Sequence, residues 1–255
     1  MRIALLSDIH ANLPALRAVL DHIDARGDVG STYHLGDLVG YAPWPDETVA
    51  LLRARGISGV AGNYDSTVAT AHPHCGCRSE NPQQEALAHQ SYAWTLAYTS
   101  AATKRTLAEL PFRCDVRPLG GHVTGPTMTL VHGTPLNNLT YWTEDRSDEF
   151  CAKMAEAVGA GGGDIIASGH THLPWHREVG GVHFVNAGSV GRPKDGDWRA
   201  GYAVITLDTS GVRSEQVRVE YDVEEAVRGI IASGLPDDFA EFLRNGGASL
   251  RARSG

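Results

Sequence analysis

The sequence predicts an α/β fold in which a partly parallel sheet is covered by helices. Short apolar runs alternate with longer segments whose apolar residues recur at helical spacing, which is the pattern of strand–helix–strand units. The last apolar runs follow one another closely, which indicates antiparallel hairpins. A mixed sheet or two packed sheets would satisfy both observations.

Eight segments are predicted as strands from their β-branched content and the turn residues around them. They are residues 2–7, 32–35, 57–61, 127–131, 164–167, 182–185, 201–207 and 217–220. Helices are predicted over residues 13–25, 45–54, 84–99, 101–110 and 147–158. The first helix is the clearest, because Asn12 can cap it and one face carries Leu13, Leu16, Val19, Leu20 and Ile23.

The chain of 255 residues is interpreted as one catalytic domain with an appendage. The domain spans residues 1–220, with an inserted loop at about 72–82 that lacks hydrophobic periodicity. Residues 221–255 form a C-terminal appendage, with short helices at 224–231 and 237–244 before a tail rich in Gly, Arg and Ser.

Composition limits the classes of partner. The 22 Lys and Arg against 30 Asp and Glu give a net charge of −8, which makes extended nucleic acid a poor partner. No apolar run approaches the roughly 18 residues that a membrane span needs, and the first residues do not form a signal peptide. We therefore expect a cytoplasmic protein whose four cysteines are reduced thiols.

Metal-ligating residue types follow five of the predicted strands. Loops beyond the carboxyl ends of strands converge on one crevice in open α/β sheets, so these side chains are expected to be neighbours. Taken singly each is an ordinary turn residue, but five such elements together predict a metal site. The residues are Asp8, His10, Asp37, Asn63, His132, His170 and His172.

The ligand types indicate the kind of metal site. Imidazoles mixed with carboxylates and a carboxamide suit Mn²⁺, Fe, Zn²⁺, Co²⁺ or Ni²⁺ and not an all-oxygen calcium cage. Seven ligands are too many for one tetrahedral ion. We therefore expect two divalent ions that share a carboxylate, with manganese the first choice.

In order and type these residues resemble the calcineurin-like metallophosphoesterases. The matching blocks are Asp8-Ile9-His10, Gly36-Asp37, Gly62-Asn63-Tyr64-Asp65, His132-Gly133 and Gly169-His170-Thr171-His172. Residues 36–43 and 186–193 are similar to the small, single-domain, phosphodiesterase-like bacterial branch of that family. The resemblance implies two facing mixed β-sheets flanked by helices, a four-layer sandwich with the ions at one edge.

The resemblance also implies ligand roles. One ion would be held by Asp8, His10 and His172, and the other by Asn63, His132 and His170. Asp37 would bridge the two ions, so that Asp37 and Asn63 belong to the catalytic set. Water held between two such ions becomes available as hydroxide for in-line attack on phosphorus.

One position departs from the family pattern. The residue after Asn63 is usually His, thought to protonate the leaving oxygen, and here it is Tyr64. A phenol is a weaker acid than imidazolium, so Tyr64, His74 of the inserted loop and water all stay open as proton donors. Arg192 and Tyr41, with Asn63, are the predicted substrate contacts.

The predicted function is a metal-dependent phosphoesterase for a soluble phosphodiester or phosphomonoester, nucleotide-derived ones included. A diadenosine polyphosphate hydrolase or a protein phosphatase is the alternative among enzymes. A metal-bound sensor or interaction protein with little turnover is the alternative of another class. The expected partner is a small phosphorylated substrate, and no oligomeric state is predicted.

Overall fold

A computed structural model describes residues 1–76, 82–117 and 125–247. Within these ranges the strands are β1 (Arg2–Leu6), β2 (Ser31–His34), β3 (Ser58–Gly59), β4 (Arg113–Val116), β5 (Met128–Val131), β6 (Ile165–Ser168), β7 (Trp175–Val179), β8 (Val182–Asn186), β9 (Ala200–Asp208) and β10 (Gly211–Val219). The helices there are α1 (Leu13–Arg26), α2 (Pro45–Ala54), α3 (Asn63–Ala69), α4 (Pro82–Tyr98), α5 (Ala101–Ala108), α6 (Asp148–Val158), α7 (Val223–Ser233) and α8 (Asp238–Arg244).

The strands form two mixed sheets of five strands each. The first has the order β10-β9-β1-β2-β3 and the second the order β4-β5-β6-β8-β7. In the first sheet β1 pairs parallel to β2 and antiparallel to β9, and in the second β6 pairs parallel to both β5 and β8. The predicted α/β fold with two facing mixed sheets flanked by helices is confirmed.

Alternation along the strands builds the layers. Ile3 and Leu5 of β1 belong to the core cluster that also contains Leu130 and Ile165 of the second sheet. Their neighbours Ala4 and Leu6 face the other way and pack with helices α1, α2 and α7. Because successive side chains of a strand point to opposite faces, one strand serves both layers. Helix α6 covers the outer face of the second sheet.

The sequence prediction missed three elements. Strands β4 and β7 are the edge strands of the second sheet, and each carries charged residues where a buried strand would be apolar. Helix α3 begins at Asn63, with three residues between it and the two-residue strand β3, so its first turn looks like a loop in the sequence. The first helix forms as predicted, with the Ala15 N–H donating to the side chain of Asn12.

The C-terminal helices pack onto the first sheet's outer face. Ala226 and Ile230 of α7 and Phe239 and Leu243 of α8 are buried in the same cluster as Tyr202 of β9. The division of the chain at residue 220 stays a prediction. No helix in the described part of the chain is long and apolar enough to cross a membrane.

The cysteines differ in state. Cys114 and Cys151 are free thiols, as expected. Cys75 is disulfide-bonded, so the expectation of reduced thiols is wrong for this residue. Composition alone cannot reveal it, because a disulfide depends on the distance and orientation of two cysteines in the folded chain. That loop is described only at residues 72–76, and the rest of it before α4 lies outside the described residues.

Candidate metal centre

The strand ends bring all the predicted metal ligands to one edge of the two sheets. Strands β1, β2, β5 and β6 each lead into a segment with one or two of these residues, and α3 starts on Asn63. All seven side chains are buried. They are Asp8, His10, Asp37, Asn63, His132, His170 and His172.

Two triads form within this group. In the first, Nε2 of His172 lies 3.3 Å from Oδ1 of Asp8 and 3.2 Å from Nε2 of His10. In the second, Nε2 of His132 lies 3.5 Å from Oδ2 of Asp37 and 3.1 Å from Nδ1 of His170. Within each triad the ligand atoms are all within 4.8 Å of one another, which is close enough for one ion to contact all three.

Asp37 lies between the triads. Its Oδ2 is 3.5 Å from Nε2 of His132 and 3.8 Å from Nε2 of His10, which belongs to the other triad. Oδ1 of Asn63 is 3.1 Å from Nε2 of His132 and extends the second triad. The grouping of residues is the one that the resemblance implied, and their roles as ligands stay predictions.

The histidine tautomers leave lone pairs facing one another. Nδ1 of His10, His132 and His172 lies 3.1, 2.8 and 2.5 Å from the carbonyl oxygens of Val39, Leu35 and Arg192. Each Nδ1 must therefore carry the proton, and each Nε2 is a bare acceptor. Two bare nitrogens only 3.2 Å apart repel unless a cation lies against both. The donor set thus fits divalent metal ions.

Each carboxylate has one oxygen held by the protein. Oδ2 of Asp8 accepts hydrogen bonds from Ser7 Oγ (2.7 Å) and the His170 N–H (2.9 Å), whereas Oδ1 is buried with no hydrogen-bond donor among the described residues. Oδ1 of Asp37 accepts from the Tyr64 N–H at 2.9 Å. A buried carboxylate oxygen without a donor is costly, and a divalent cation bound to it would remove that cost.

Burial shifts the titration of the site. It raises the pKa of Asp8 to about 7, and it raises the pKa of Asp37 well above its ordinary value, with the nearby Asp65 carboxyl adding to the effect. Burial also holds the pKa of His10, His170 and His172 well below the usual range. Burial by itself therefore favours neutral imidazoles and protonated carboxyls, and a bound cation would reverse the preference of the carboxyls.

Two glycines let backbones approach the carboxylates. A Cβ added to Gly62 would lie 2.0 Å from Oδ1 of Asp37, and one added to Gly169 would lie 1.8 Å from Oγ of Ser7. No side chain fits at either place. This explains why glycine precedes Asn63 and His170 in the sequence blocks.

The ligand segments adopt an uncommon backbone conformation. Positive φ angles of 49° to 65° occur at Asp8, His10, Asp37, His170 and His172. Non-glycine residues rarely adopt this region, at a cost of order 1–3 kcal/mol each. Five of the seven predicted ligands share it, so the fold holds strained residues together at this one site.

Tyr64 occupies the position that is His in the family pattern. Its side chain is only 1% exposed, and its hydroxyl donates to Oγ of Ser91 at 3.2 Å. Burial raises the pKa of this phenol well above its ordinary value. The ring centroid lies 5.7 Å from that of His10, so the residue is close to the first triad but its proton is engaged elsewhere.

His74 lies on the described part of the inserted loop. Its side chain is exposed, and its ring packs edge-on against that of His72 at 4.6 Å. The adjacent Cys75 carbonyl accepts a hydrogen bond from Nδ2 of Asn63 at 3.2 Å. The loop therefore borders the second triad, but the structure does not place the His74 imidazole among the buried ligands.

Arg192 and Tyr41 lie together beside the first triad. The guanidinium of Arg192 is 4.0 Å from the Tyr41 ring centroid, and the backbone carbonyl of Arg192 accepts from Nδ1 of His172. The Tyr41 ring lies edge-on at 5.0 Å from the His10 ring. The arginine is only 9% exposed although it has no carboxylate partner among the described residues. A cation held beside the pocket in this way can contact an anion.

The structure adds three residues that sequence reasoning missed. The Tyr141 ring lies 4.5 Å from the His170 ring, Lys194 lies with its Nζ 6.0 Å from the Tyr141 ring, and Phe242 packs on Arg192 at 3.8 Å. The Lys194 charge contributes to lowering the pKa of His170 and His172. None of the three follows a strand end, so the pattern that found the ligands could not find them.

Comparison with known proteins agrees with this arrangement. The profile of the calcineurin-like phosphoesterase superfamily domain matches residues 1–210. The uncharacterized protein MJ0912 of Methanocaldococcus jannaschii is 31% identical over 260 residues, covering 94% of this chain and 96% of that protein.

Solved structures show the same fold. A metallophosphoesterase from Sphaerobacter thermophilus superposes with a TM-score of 0.72 at 30% identity, covering 96% of this chain and 99% of that one. The hypothetical protein PH1004 from Pyrococcus horikoshii OT3 superposes with a TM-score of 0.78 at 21% identity, covering 96% and 98%.

Proposed function

This chain belongs to the calcineurin-like phosphoesterase superfamily, and we propose that it is a dinuclear metal-dependent phosphoesterase that hydrolyses a soluble phosphodiester or phosphomonoester. One observation carries the proposal. Bare Nε2 atoms of His10, His132 and His172 converge with two buried carboxylates in two triads that meet at Asp37. This set of acceptor atoms suits a pair of bound cations.

The metal ions would be held as the grouping suggests. Asp8, His10 and His172 would hold one, His132, His170 and Asn63 the other, and Asp37 would contact both. When bound, two such ions polarise phosphoryl oxygens and lower the pKa of a bound water. Manganese is our first choice because mixed nitrogen and oxygen ligands suit it, with iron, zinc, cobalt or nickel as alternatives.

The chain's own residues would bind and orient the ester. The Arg192 guanidinium presents N–H donors beside the first triad, and the Asn63 carboxamide lies at the second. The Tyr41 ring packs against the Arg192 guanidinium in a cation–π contact. Positioning the phosphoryl group between these donors raises its effective concentration at the site. The positive charge of Arg192 attracts an anionic ester locally, although the whole chain carries a net charge of −8.

The proton donor for the leaving group follows partly from the geometry. Tyr64 is buried and its hydroxyl is bonded to Ser91, so it is a poor donor. His74 is exposed on a loop that borders Asn63, and water is available wherever the substrate is not enclosed. We propose that His74 or water protonates the leaving oxygen.

The substrate we propose is a small phosphorylated molecule of the cytoplasm, nucleotide-derived ones included. The net charge of −8 would repel a long polyanion, whereas a compact ester needs only the local cations. Arg192 and Lys194, two positions apart on the same loop, provide two such charges.

Elemental analysis followed by a substrate panel tests the proposal. Protein purified without added metal should contain two metal equivalents, and it should hydrolyse aryl phosphomonoesters, bis-aryl phosphodiesters or cyclic nucleotides until a chelator is added. Asp37→Asn should abolish turnover, and Asp21→Asn, the same change at an exposed residue, should not. Metal-bound protein that is inert across the panel would contradict the enzyme and support a sensor.

A further inference from the structure

A residue outside the family profile contacts the candidate site. The profile match ends at residue 210, yet Phe242 of α8 packs its ring on the Arg192 guanidinium at 3.8 Å. Tyr41 packs on the same guanidinium at 4.0 Å. Arg192 is thus held between two aromatic rings, one from the loop after β2 and one from the C-terminal helix.

Helix α8 is fixed in this place by further contacts. The Phe239 ring meets the Tyr41 ring edge-on at 5.3 Å, so both partners of the arginine are joined through α8. The Gly196 N–H donates to the Gly246 carbonyl at 2.9 Å, which ties the turn after α8 to the loop that follows Arg192. The helix therefore packs directly against the segment that carries the arginine.

The hydrogen-bonding capacity of Arg192 remains available. Within residues 1–76, 82–117 and 125–247, no acceptor receives a hydrogen bond from its guanidinium, although the residue is only 9% exposed. A guanidinium has five N–H donors, and stacking between rings leaves its edge able to use them. A buried arginine supported by rings instead of carboxylates keeps its full charge for a ligand.

We infer that α8 is part of the substrate site, with Phe242 as a positioning residue that holds the Arg192 guanidinium ready for an oxygen of the phosphoryl group. The inference rests on the proposed function. Without the ring the arginine would sample other rotamers, and binding would have to order it again. Loss of Phe242 should therefore weaken substrate binding more than it slows the chemical step.

Two substitutions in α8 separate positioning from stability. Phe242→Leu and Leu243→Ala each remove three carbon atoms from buried residues that are 4% and 5% exposed. Only the first frees the arginine. With p-nitrophenyl phosphate we expect Phe242→Leu to raise KM by about tenfold, the range of a desolvated cation–π contact, with kcat within about threefold of the wild type. Leu243→Ala should leave KM unchanged.

Two further variants test that Phe242 acts through Arg192. Phe242→Tyr keeps a ring and should restore the wild-type KM. In an Arg192→Gln background, Phe242→Leu should add less than about a twofold effect, because coupled residues are not additive. If Phe242→Leu does not fold, as judged by thermal unfolding, Phe242→Met keeps most of the volume without a ring and replaces it.

Measuring the binding of inorganic phosphate tests the inference independently of any hydrolysis, so its failure can be told from failure of the proposed function. If the wild type hydrolyses no ester, the proposed function fails, but calorimetry of phosphate binding to the metal-loaded protein still compares the variants. A loss of phosphate affinity in Phe242→Leu and not in Leu243→Ala supports the inference. Equal behaviour of the two variants, in KM or in phosphate affinity, would overturn it.

Discussion

Tyr64 binds Asp37 through its backbone and not through its side chain. The Tyr64 N–H donates to Oδ1 of Asp37 at 2.9 Å, and the phenol donates instead to Ser91 at 3.2 Å. The first turn of α3 thus orients the carboxylate that lies between the two triads, because the N-terminal amides of a helix are free to donate. The amide is independent of the side chain, so the residue can position Asp37 without taking part in proton transfer.

Tyr64→Phe should therefore leave catalysis almost intact. We expect kcat within about threefold of the wild type, because removing a general acid typically costs 10²–10⁴-fold. Loss of the hydrogen bond to Ser91 should lower the free energy of unfolding by about 1 kcal/mol. Steady-state kinetics with an aryl phosphate and urea unfolding measure the two effects.

His74→Ala is the companion variant. It should slow hydrolysis if His74 protonates the leaving oxygen, and it should be silent if water does. Because the His74 side chain is exposed, its removal should not change stability beyond about 0.5 kcal/mol. A fall of 100-fold or more in Tyr64→Phe would contradict our interpretation and assign the proton to the phenol.

Esters with good leaving groups should be preferred. The family's His is replaced by Tyr64, whose pKa is raised by burial, so no strong acid is fixed next to Asn63. The rate should then depend steeply on the pKa of the leaving alcohol, since little protonation assists its departure. A series of substituted aryl phosphates gives that slope, and a flat series with chemistry rate-limiting would show that an efficient acid is present.

The glycine at position 169 should be essential for metal binding. In Gly169→Ala the new Cβ would lie 1.8 Å from Oγ of Ser7 and 2.6 Å from Oδ2 of Asp8, so the carboxylate must move. We expect at least a tenfold loss of metal affinity, because such a change acts like loss of an outer-shell partner. Gly161→Ala is the matched control, since its Cβ would meet nothing within 4 Å. Similar metal titrations for both variants would refute the expectation.

The candidate ligands could be predicted from the sequence because these residues follow strand ends. The apolar runs of β1, β2, β5 and β6 are recognisable from composition, and parallel pairing brings their carboxyl ends together. The positions of Asp8, Asp37 and His132 in space then follow from topology. The edge strands β4 and β7 could not be predicted from the sequence, because their charged residues are typical of a loop.

Other parts of the site depend on tertiary contacts with no local signal. The positive φ of Asp37 and the tautomer of His132 are set by partners far away in the chain, such as the Leu35 carbonyl, 97 residues from His132. Phe242 reads as an ordinary core residue of a helix. Only the packing of α8 reveals that one face of its ring lies on Arg192.

Metal affinity should fall below neutral pH. Burial raises the pKa of Asp8 to about 7 in the metal-free protein, and a metal ligand must be deprotonated. As pH falls below this value, binding must displace a proton, so affinity should drop by about tenfold per pH unit. Titrations at pH 6 and 8 measure the drop, and calorimetry in buffers of different ionisation enthalpy counts the released protons. Equal affinities at the two pH values would contradict the raised pKa.

Buried His34 should destabilise the protein at acidic pH. The residue ends β2 and is 2% exposed, and burial lowers its pKa from 6.5 to about 4. Between these values the unfolded chain binds a proton that the folded chain does not, so the free energy of unfolding decreases as pH falls. The loss should reach about 3 kcal/mol near pH 4, at about 1.4 kcal/mol per pH unit.

Urea unfolding of the wild type and of His34→Gln, both with EDTA, isolates the effect of this residue because the candidate metal ligands titrate alike in the two proteins. Since His34→Gln cannot take up the proton, its stability should overtake that of the wild type as the pH is lowered, and parallel curves would show that His34 is protonated in the fold.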